Sequence, residues 1–354
     1  MERILTDKAN YLAGKVYDVT IVTTEQKGRP MAFPLHPSIK TLDLAIGYED
    51  NNGGSFVSKL VRHPFKQWKH RRLLKKILME LRPDITISLF CGDERFLPSL
   101  RDGSKKVLEV HFSRFKRLQY GRNGLWALAD RLRSSKDYRM VRRFDRFVCL
   151  TNEDYGYWGS PQNGAVIPNF IDKMPAQPSA LTGKIVLAVG RYMYQKGFER
   201  LIEAWRLLPG GHGWTLRIVG GGPDGEALKQ QAQGLAVEIA GPSKDMAREY
   251  AQAAILALSS RYEGLPMVLL EAQSWGIPLV SFDCKCGPRD VITDGEDGLL
   301  VPEGDVSALA GALAKLMESS ELRSWMGAAG RRNAARWDKG TIMQQWIRLF
   351  QEIS

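Results

Sequence analysis

Residues 186–208, VLAVGRYMYQKGFERLIEAWRLL, join a short apolar run to a longer amphipathic one. The first run predicts a buried strand that ends at Gly190, and the second predicts a helix that begins near Phe198. The same alternation recurs in both halves of the chain, which is typical of βα units that build parallel sheets. The sequence therefore predicts an α/β protein with two doubly wound domains that face one another across a ligand-binding cleft.

Short β-branched runs and the residues between them define the expected domains. The predicted strands are residues 19–24, 85–90, 106–110, 146–150, 184–189, 214–219, 237–239, 254–258 and 278–282. Residues 165–180 contain three prolines and are typical of a linker. We therefore assign residues 1–170 to an N-terminal domain, residues 171–336 to a second domain and residues 337–354 to a C-terminal helix. Apolar residues recur at helical spacing in this last segment, so we expect it to pack on a domain, with the N-terminal one as the candidate.

The net charge of +11 comes from the first half of the chain. Residues 1–173 carry 31 Lys and Arg against 19 Asp and Glu. Such a basic surface suits a nucleic acid, an anionic membrane or an acidic substrate. The sequence contains no RNP, zinc-finger or helix-turn-helix signature, which argues against nucleic acid. No apolar run has the length of a membrane-spanning helix, so we expect any membrane contact to be peripheral.

The chain has only four cysteines, too few for a disulfide framework, which favours a reducing, cytoplasmic compartment. Cys284 and Cys286 form a CxC pair, but no second ligand pair at zinc spacing accompanies them. We therefore expect neither a metal site nor a bound cofactor.

Residues 261–271, RYEGLPMVLLE, combine a loop with the start of a helix. Pro266 suits the first helical turn, so Glu263 and Gly264 fall in the loop that leads into the helix. Free amides of the first turn favour an anion, and Glu271 lies further along the same helix. Two carboxylates at this spacing suit the hydroxyl groups on either side of a diphosphate. The alternative is that Glu263 and Glu271 are two solvent-exposed acids near the helix end without a function, because such acids can have the same spacing.

Three further residues follow predicted strands at their carboxyl ends. Arg191 and Lys196 lie in the loop after residues 184–189, where two cations would stabilise a departing nucleoside diphosphate. His111 follows residues 106–110 and is a candidate hydrogen-bond donor to a sugar hydroxyl. The alternatives are two surface cations and a histidine at a strand end without a function.

Residues 62–76, RHPFKQWKHRRLLKK, gather seven Lys and Arg around aromatic and aliphatic side chains. This mixture suits an anionic lipid surface, and a solvated helix face has the same composition. The arginines of residues 114–146 add to the positive charge. The residues assigned to membrane binding are Lys69, Arg71, Arg72, Lys75 and Lys76.

Four segments between residues 189 and 305, VGRYMYQKG, RIVGGGP, SSRYEGLPMVLLEAQSWGIPLV and DGEDGLLVPEGD, together resemble glycosyltransferase family 4. The resemblance implies the GT-B fold, with two Rossmann-like domains, and sugar transfer with retained anomeric configuration and no bound metal. It implies that Arg191 and Lys196 contact the donor diphosphate, and that His111 contacts the transferred sugar. The residues assigned to catalysis are His111, Arg191, Lys196 and Glu263. Those assigned to donor binding are Arg191, Lys196, Gly241, Glu263, Gly264, Leu265, Pro266 and Glu271.

The segment SFDCKCGPRDVI, residues 281–292, is similar to relatives that use UDP-sugars. The implied activity is transfer of a hexose or N-acetylhexosamine from a nucleotide diphosphate sugar to a membrane-associated or polysaccharide acceptor in envelope glycan biosynthesis. The N-terminal domain would bind the acceptor, at the inner face of the cell membrane, and the second domain would bind the donor. Two other functions stay open: a nucleotide-sugar epimerase of GT-B architecture, and a catalytically inactive scaffold on the membrane.

The beginning of the chain departs from the family pattern. Family members usually open with an apolar strand and a Gly-Gly-x-Glu-Arg loop, whereas this chain opens with Met1-Glu2-Arg3. We therefore expect the first strand and the glycine loop to be missing. Because the first strand is central in a doubly wound sheet, its neighbours are expected to be exposed.

Overall fold

The computed structural model describes residues 1–48, 56–116, 118, 124–210 and 213–354. Strands and helices alternate in both halves, so the predicted α/β class is confirmed. The elements of the N-terminal half are α1 (Glu2–Ala13), β1 (Thr20–Thr23), β2 (Lys40–Asp43), α2 (Phe56–Leu81), β3 (Ile85–Ser88), β4 (Lys105–Glu109), α3 (Leu125–Met140), β5 (Arg146–Cys149), α4 (Asn152–Tyr157) and β6 (Gly164–Val166).

The second half continues the same alternation. Its elements are β7 (Ile185–Val189), α5 (Phe198–Arg206), β8 (Thr215–Val219), α6 (Gly225–Gln231), β9 (Val237–Ala240), α7 (Met246–Gln252), β10 (Ile255–Leu258), α8 (Met267–Ser274), β11 (Leu279–Asp283), α9 (Pro288–Val291), β12 (Gly298–Pro302), α10 (Val306–Glu318), α11 (Ser320–Asn333) and α12 (Lys339–Ile353).

The sheet of the second half is doubly wound. Its six parallel strands have the order β12-β11-β10-β7-β8-β9, so the chain winds outward from β7 to β9 and then returns to β10 on the other side. Val186, Leu187 and Ala188 of β7 are fully buried, because helices cover both faces of the sheet. The winding reverses between β7 and β10, and the loops that follow these two strands therefore open onto one crevice.

The strands of the N-terminal half form two separate parallel sheets, β3-β4-β5-β6 and β1-β2. Three strands were not predicted from the sequence: β2, β6 and β12. All four residues of β2 are exposed, so no apolar alternation marks it, and β12 is a partly buried edge strand. Strand β6 has three residues and overlaps the start of the predicted linker, residues 165–180. The linker was therefore predicted to begin too early in the chain.

The C-terminal helix α12 packs on the N-terminal half. Ile342, Met343 and Trp346 join a buried cluster with Val107 of β4 and Val148 of β5. The chain thus crosses between the halves twice, once before β7 and once before α12. The two crossings lie side by side, since the amide of Ile171 donates to the Trp337 carbonyl at 2.9 Å and the backbones of Ile171 and Asp338 form a parallel bridge.

Candidate active site

The loops after β7 and β10 meet at the point where the winding of the sheet reverses. The Lys196 ammonium donates to Oε1 of Glu263 at 2.6 Å, and the Ser260 hydroxyl donates to the same oxygen at 2.6 Å. The backbones are also joined, because the Arg261 amide donates to the Gln195 carbonyl at 2.8 Å. The Lys196 and Glu263 side chains are only 17% and 8% exposed, so the pair is held in one position.

Two glycines allow the close approach of these loops. Gly197 has a φ of +60°, and a Cβ on it would lie 2.3 Å from the Ser259 carbonyl oxygen, so a side chain there would separate the two loops. A Cβ on Gly264 would lie 2.6 Å from the carbonyl oxygen of His111. Gly264 therefore brings the start of α8 directly against the end of β4, and the two halves of the chain enclose the site from opposite sides.

His111 is anchored by a buried ion pair of the N-terminal half. Its Nε2 lies 3.0 Å from Oε1 of Glu109, and the Lys8 ammonium donates to both Glu109 oxygens at 2.6 Å. The Lys8 ammonium also lies 3.7 Å from the centre of a ring of Trp346 on α12. Burial raises the pKa of Glu109, but Lys8 and His111 oppose that effect and bring the pKa down to about 2. An ionised Glu109 accepts from Nε2–H, which leaves Nδ1 of His111 for a ligand.

Glu271, on α8, is bonded from both halves. The Tyr250 hydroxyl donates to Oε2 of Glu271 at 2.6 Å, and the Arg3 guanidinium of α1 lies 3.4 Å from Oε1. Burial, together with the Glu271 carboxylate, raises the pKa of Tyr250 above its usual range, so the phenol keeps its proton and remains a donor. α1 thereby reaches the helix that carries Glu271, a residue assigned to donor binding.

The remaining assigned residues are less closely grouped. Leu265 and Pro266 are buried at the start of α8. Arg191 is exposed on the loop that carries Lys196, and it forms no hydrogen bond or ion pair with its side chain among the described residues. Gly241 follows β9, an edge strand two positions away from β7. The structure thus groups Lys196, Glu263, Gly264 and His111, and the roles of all the assigned residues stay predictions.

Five residues of this constellation were not singled out in the sequence: Arg3, Lys8, Glu109, Tyr250 and Ser260. Glu109 is an acidic residue in the otherwise apolar run VLEV, which is a signal of a buried charge that needs a partner. Its partner Lys8 lies 101 residues away in the chain, and no local pattern connects the two.

The segment 281–292 contacts the N-terminal half. The Cys286 thiol lies 3.4 Å from the Ser113 hydroxyl and 3.5 Å from Oδ1 of Asp154. Close by, the Asn152 amide donates to Oδ1 of Asp290 at 2.9 Å. Burial raises the pKa of Asp154 to about 6. The segment that suggested the donor from sequence therefore also joins the two halves of the chain.

Comparison with known structures identifies the class of fold. Sucrose-phosphate synthase from Thermosynechococcus elongatus superimposes with a TM-score of 0.82 at 20% identity, over 99% of this chain and 92% of that one. The two α/β halves and the cleft between them are the GT-B fold, as predicted. Residues 170–333 match the family model of glycosyl transferases group 1, so the second half is similar to a glycosyltransferase group 1 domain.

Two curated relatives are glycosyltransferases. The amylovoran biosynthesis glycosyltransferase AmsD of Erwinia amylovora is 38% identical over 46% of this chain and 46% of its own length. The chain thus matches about half the length of that relative. An uncharacterized glycosyltransferase of Haemophilus influenzae is 26% identical over 98% of this chain and 94% of its own length.

Proposed function

We propose that the chain is a retaining, metal-independent glycosyltransferase of family 4 that transfers a hexose or N-acetylhexosamine. The donor is a nucleotide diphosphate sugar, most simply a UDP-sugar, and the acceptor is a membrane-associated or polysaccharide chain of the cell envelope. The observation that carries the proposal is the partly buried Lys196–Glu263 pair at the reversal point of the sheet, with the His111 backbone of the other half directly against Gly264. AmsD, which acts in amylovoran biosynthesis, supports the class of acceptor.

The proposed roles follow from charge and position. Lys196 and the exposed Arg191 would bind the diphosphate, and the free amides at the start of α8 would face the same anion. Negative charge grows on the diphosphate as the bond to the sugar breaks, so cations fixed beforehand stabilise the transition state more than the ground state. Glu263 fixes the Lys196 ammonium, and Nδ1 of His111 would bind a hydroxyl of the transferred sugar.

A donor screen tests this activity. Each nucleotide sugar is incubated with the protein, with and without a lipid-linked glycan acceptor, and nucleoside diphosphate release and glycan extension are measured. We expect one donor to be consumed, with faster release and a longer glycan when the acceptor is present. Isomerisation of a nucleotide sugar without any acceptor would indicate the epimerase instead. Absence of UDP binding in calorimetry, together with no turnover, would indicate the inactive scaffold; the relatives favour neither alternative.

Helix α2 supports a second part of the proposal, peripheral binding to the anionic inner face of the cell membrane. Phe65 and Trp68 are 65% and 55% exposed and stack on each other, and the Arg72 guanidinium lies over Trp68. Lys75 and Lys76 extend the same exposed face. Lys69 contributes less to this face, because it is partly buried and donates to the Ala45 carbonyl at 3.1 Å. None of the helices within the described ranges is long and apolar enough to span a bilayer.

Cosedimentation with vesicles tests the membrane proposal. Replacement of Arg71, Arg72, Lys75 and Lys76 by glutamine should lower binding to anionic vesicles about a hundredfold or more, since each basic residue near the surface contributes about 1 kcal/mol. Binding should also fall steeply with salt. The matched control removes four exposed cations of the second half, Lys184, Lys244, Lys315 and Arg332. An equal loss in this control, or binding that salt does not affect, would contradict the assignment of α2.

A further inference from the structure

A basic cavity of about 540 Å³ lies on the N-terminal half, apart from the residues assigned to catalysis and donor binding. Its charged lining is contributed by the loop after β3, by the C-terminal half of α3 and by the turn that follows α3. We call it the arginine pocket, and its charged residues are Arg95, Arg133, Lys136, Asp137, Arg139 and Arg143. The volume is in the range of sites that hold small ligands.

The arginine pocket carries more positive charge than its own structure neutralises. Five of its charged side chains are cations and one is a carboxylate. Arg133 lies 3.5 Å from Asp130, and Arg95 lies 3.9 Å from Glu94, at the outer limit of an ion pair. Lys136, Arg139 and Arg143 are exposed and form no ion pair with any residue in the described part of the chain. Like charges around one concavity repel each other, and a bound anion would remove that repulsion.

The positive field of the pocket reaches a neighbouring helix. Burial lowers the pKa of His63 on α2, and the charges of Arg95 and Arg133 lower it further. Two elements distant in the sequence therefore share one electrostatic environment around the cavity.

We propose that the arginine pocket binds a phosphoryl group, as a phosphate monoester or a diphosphate. Planar guanidinium groups bind phosphate oxygens in pairs, and several of them around one cavity select for a group that carries more than one negative charge. The site would recognise either the phosphate of a lipid headgroup or a phosphate on a soluble glycan. The inference does not depend on the proposed transferase activity.

Calorimetric titration with inorganic pyrophosphate tests the pocket. Pyrophosphate would also bind the predicted donor site, so the titration is made on the wild type, on Lys196→Ala and on Arg139→Ala/Arg143→Ala. We expect two binding events in the wild type, one of which survives in Lys196→Ala. In the double arginine variant Arg139→Ala/Arg143→Ala, the affinity for pyrophosphate in the event that survives in Lys196→Ala should fall at least tenfold. Arg71→Ala/Arg72→Ala removes the same charge from α2 and should leave that affinity unchanged.

Two results would overturn the proposal. One is that the double arginine variant binds pyrophosphate with unchanged affinity, and the other is that the affinity falls equally in the α2 control. Failure of the proposed donor site has a different signature, because the wild type would then show a single pyrophosphate binding event, and Lys196→Ala would leave it unchanged. Vesicles that contain phosphatidic acid distinguish the two sources. Weaker vesicle binding by the double arginine variant supports a headgroup, and unchanged vesicle binding with lost pyrophosphate binding supports a soluble phosphorylated glycan. Equal melting temperatures of all variants verify that they are folded.

Discussion

The kcat of the proposed sugar transfer should fall about a hundred- to a thousandfold when Lys196 is replaced by alanine. This is the usual effect of removing one fixed group that stabilises charge in a transition state. The ammonium is well placed for this role, since Glu263 holds it at 2.6 Å and its side chain is only 17% exposed. KM should change less than kcat, because the charge on the leaving diphosphate is largest in the transition state. Steady-state kinetics with the donor found in the screen measure both constants.

Two other variants make this result interpretable. Lys184→Ala removes an exposed lysine at the opposite end of the same strand, β7, and should leave kcat unchanged. Glu263→Gln keeps the size of the side chain but weakens its hold on Lys196, so kcat should fall at least tenfold at an unchanged melting temperature. Equal kcat values for Lys196→Ala and the wild type would rule out the proposed role of the pair.

Replacement of Lys8 by methionine should lower the free energy of unfolding by about 3–5 kcal/mol, the usual cost of leaving one member of a buried ion pair without its partner. Lys8 and Glu109 have side-chain exposures of 6% and 2%, so water cannot replace the lost ammonium. The double variant Lys8→Met/Glu109→Gln should recover part of the loss, because it removes the unpaired charge as well. Urea unfolding of the three proteins measures the effect.

The pH dependence gives an independent check on this pair. The pKa of Glu109 is about 2 in the folded protein, below the ordinary 4.5 of a glutamate, so the pair stabilises the fold above about pH 4.5. That contribution is lost as the pH falls from 4.5 towards 2. The difference in stability between the wild type and Lys8→Met should therefore shrink over this range. A difference that is constant from pH 6 to pH 3 would show that packing, and not charge, is what the substitution removes.

The sequence predicted those parts of the molecule whose signals are local. The strand at β7, the loop with Lys196 and the helix after Glu263 all follow from apolar periodicity and from Gly and Pro at their ends. The sequence did not predict that Lys8 pairs with Glu109, because contacts between distant segments leave no local periodicity. Nor did it predict β2, whose four exposed residues give no alternation.

The choice of site residues shows the same limit. Lys196 and Glu263 were assigned to the donor site from two separate motifs, whereas their bond depends on β7 and β10 being adjacent in the sheet. Gly241 was assigned to the donor, yet its position directly after an edge strand follows from a strand order that the sequence does not state. Similarly, helical spacing predicted α12, but only the packing of Trp346 against the N-terminal core shows where the helix returns.

The side-by-side crossings at Ile171 and Asp338 have a mechanical consequence. Two covalent connections that run next to each other allow a hinge motion, in which one half tilts towards or away from the other. They resist rotation of one half about the other. Any such tilt carries α12 with the N-terminal half and leaves Trp337 with the second half. The short stretch between Trp337 and the start of α12 at Lys339 must therefore absorb the bend together with the backbone around Ile171.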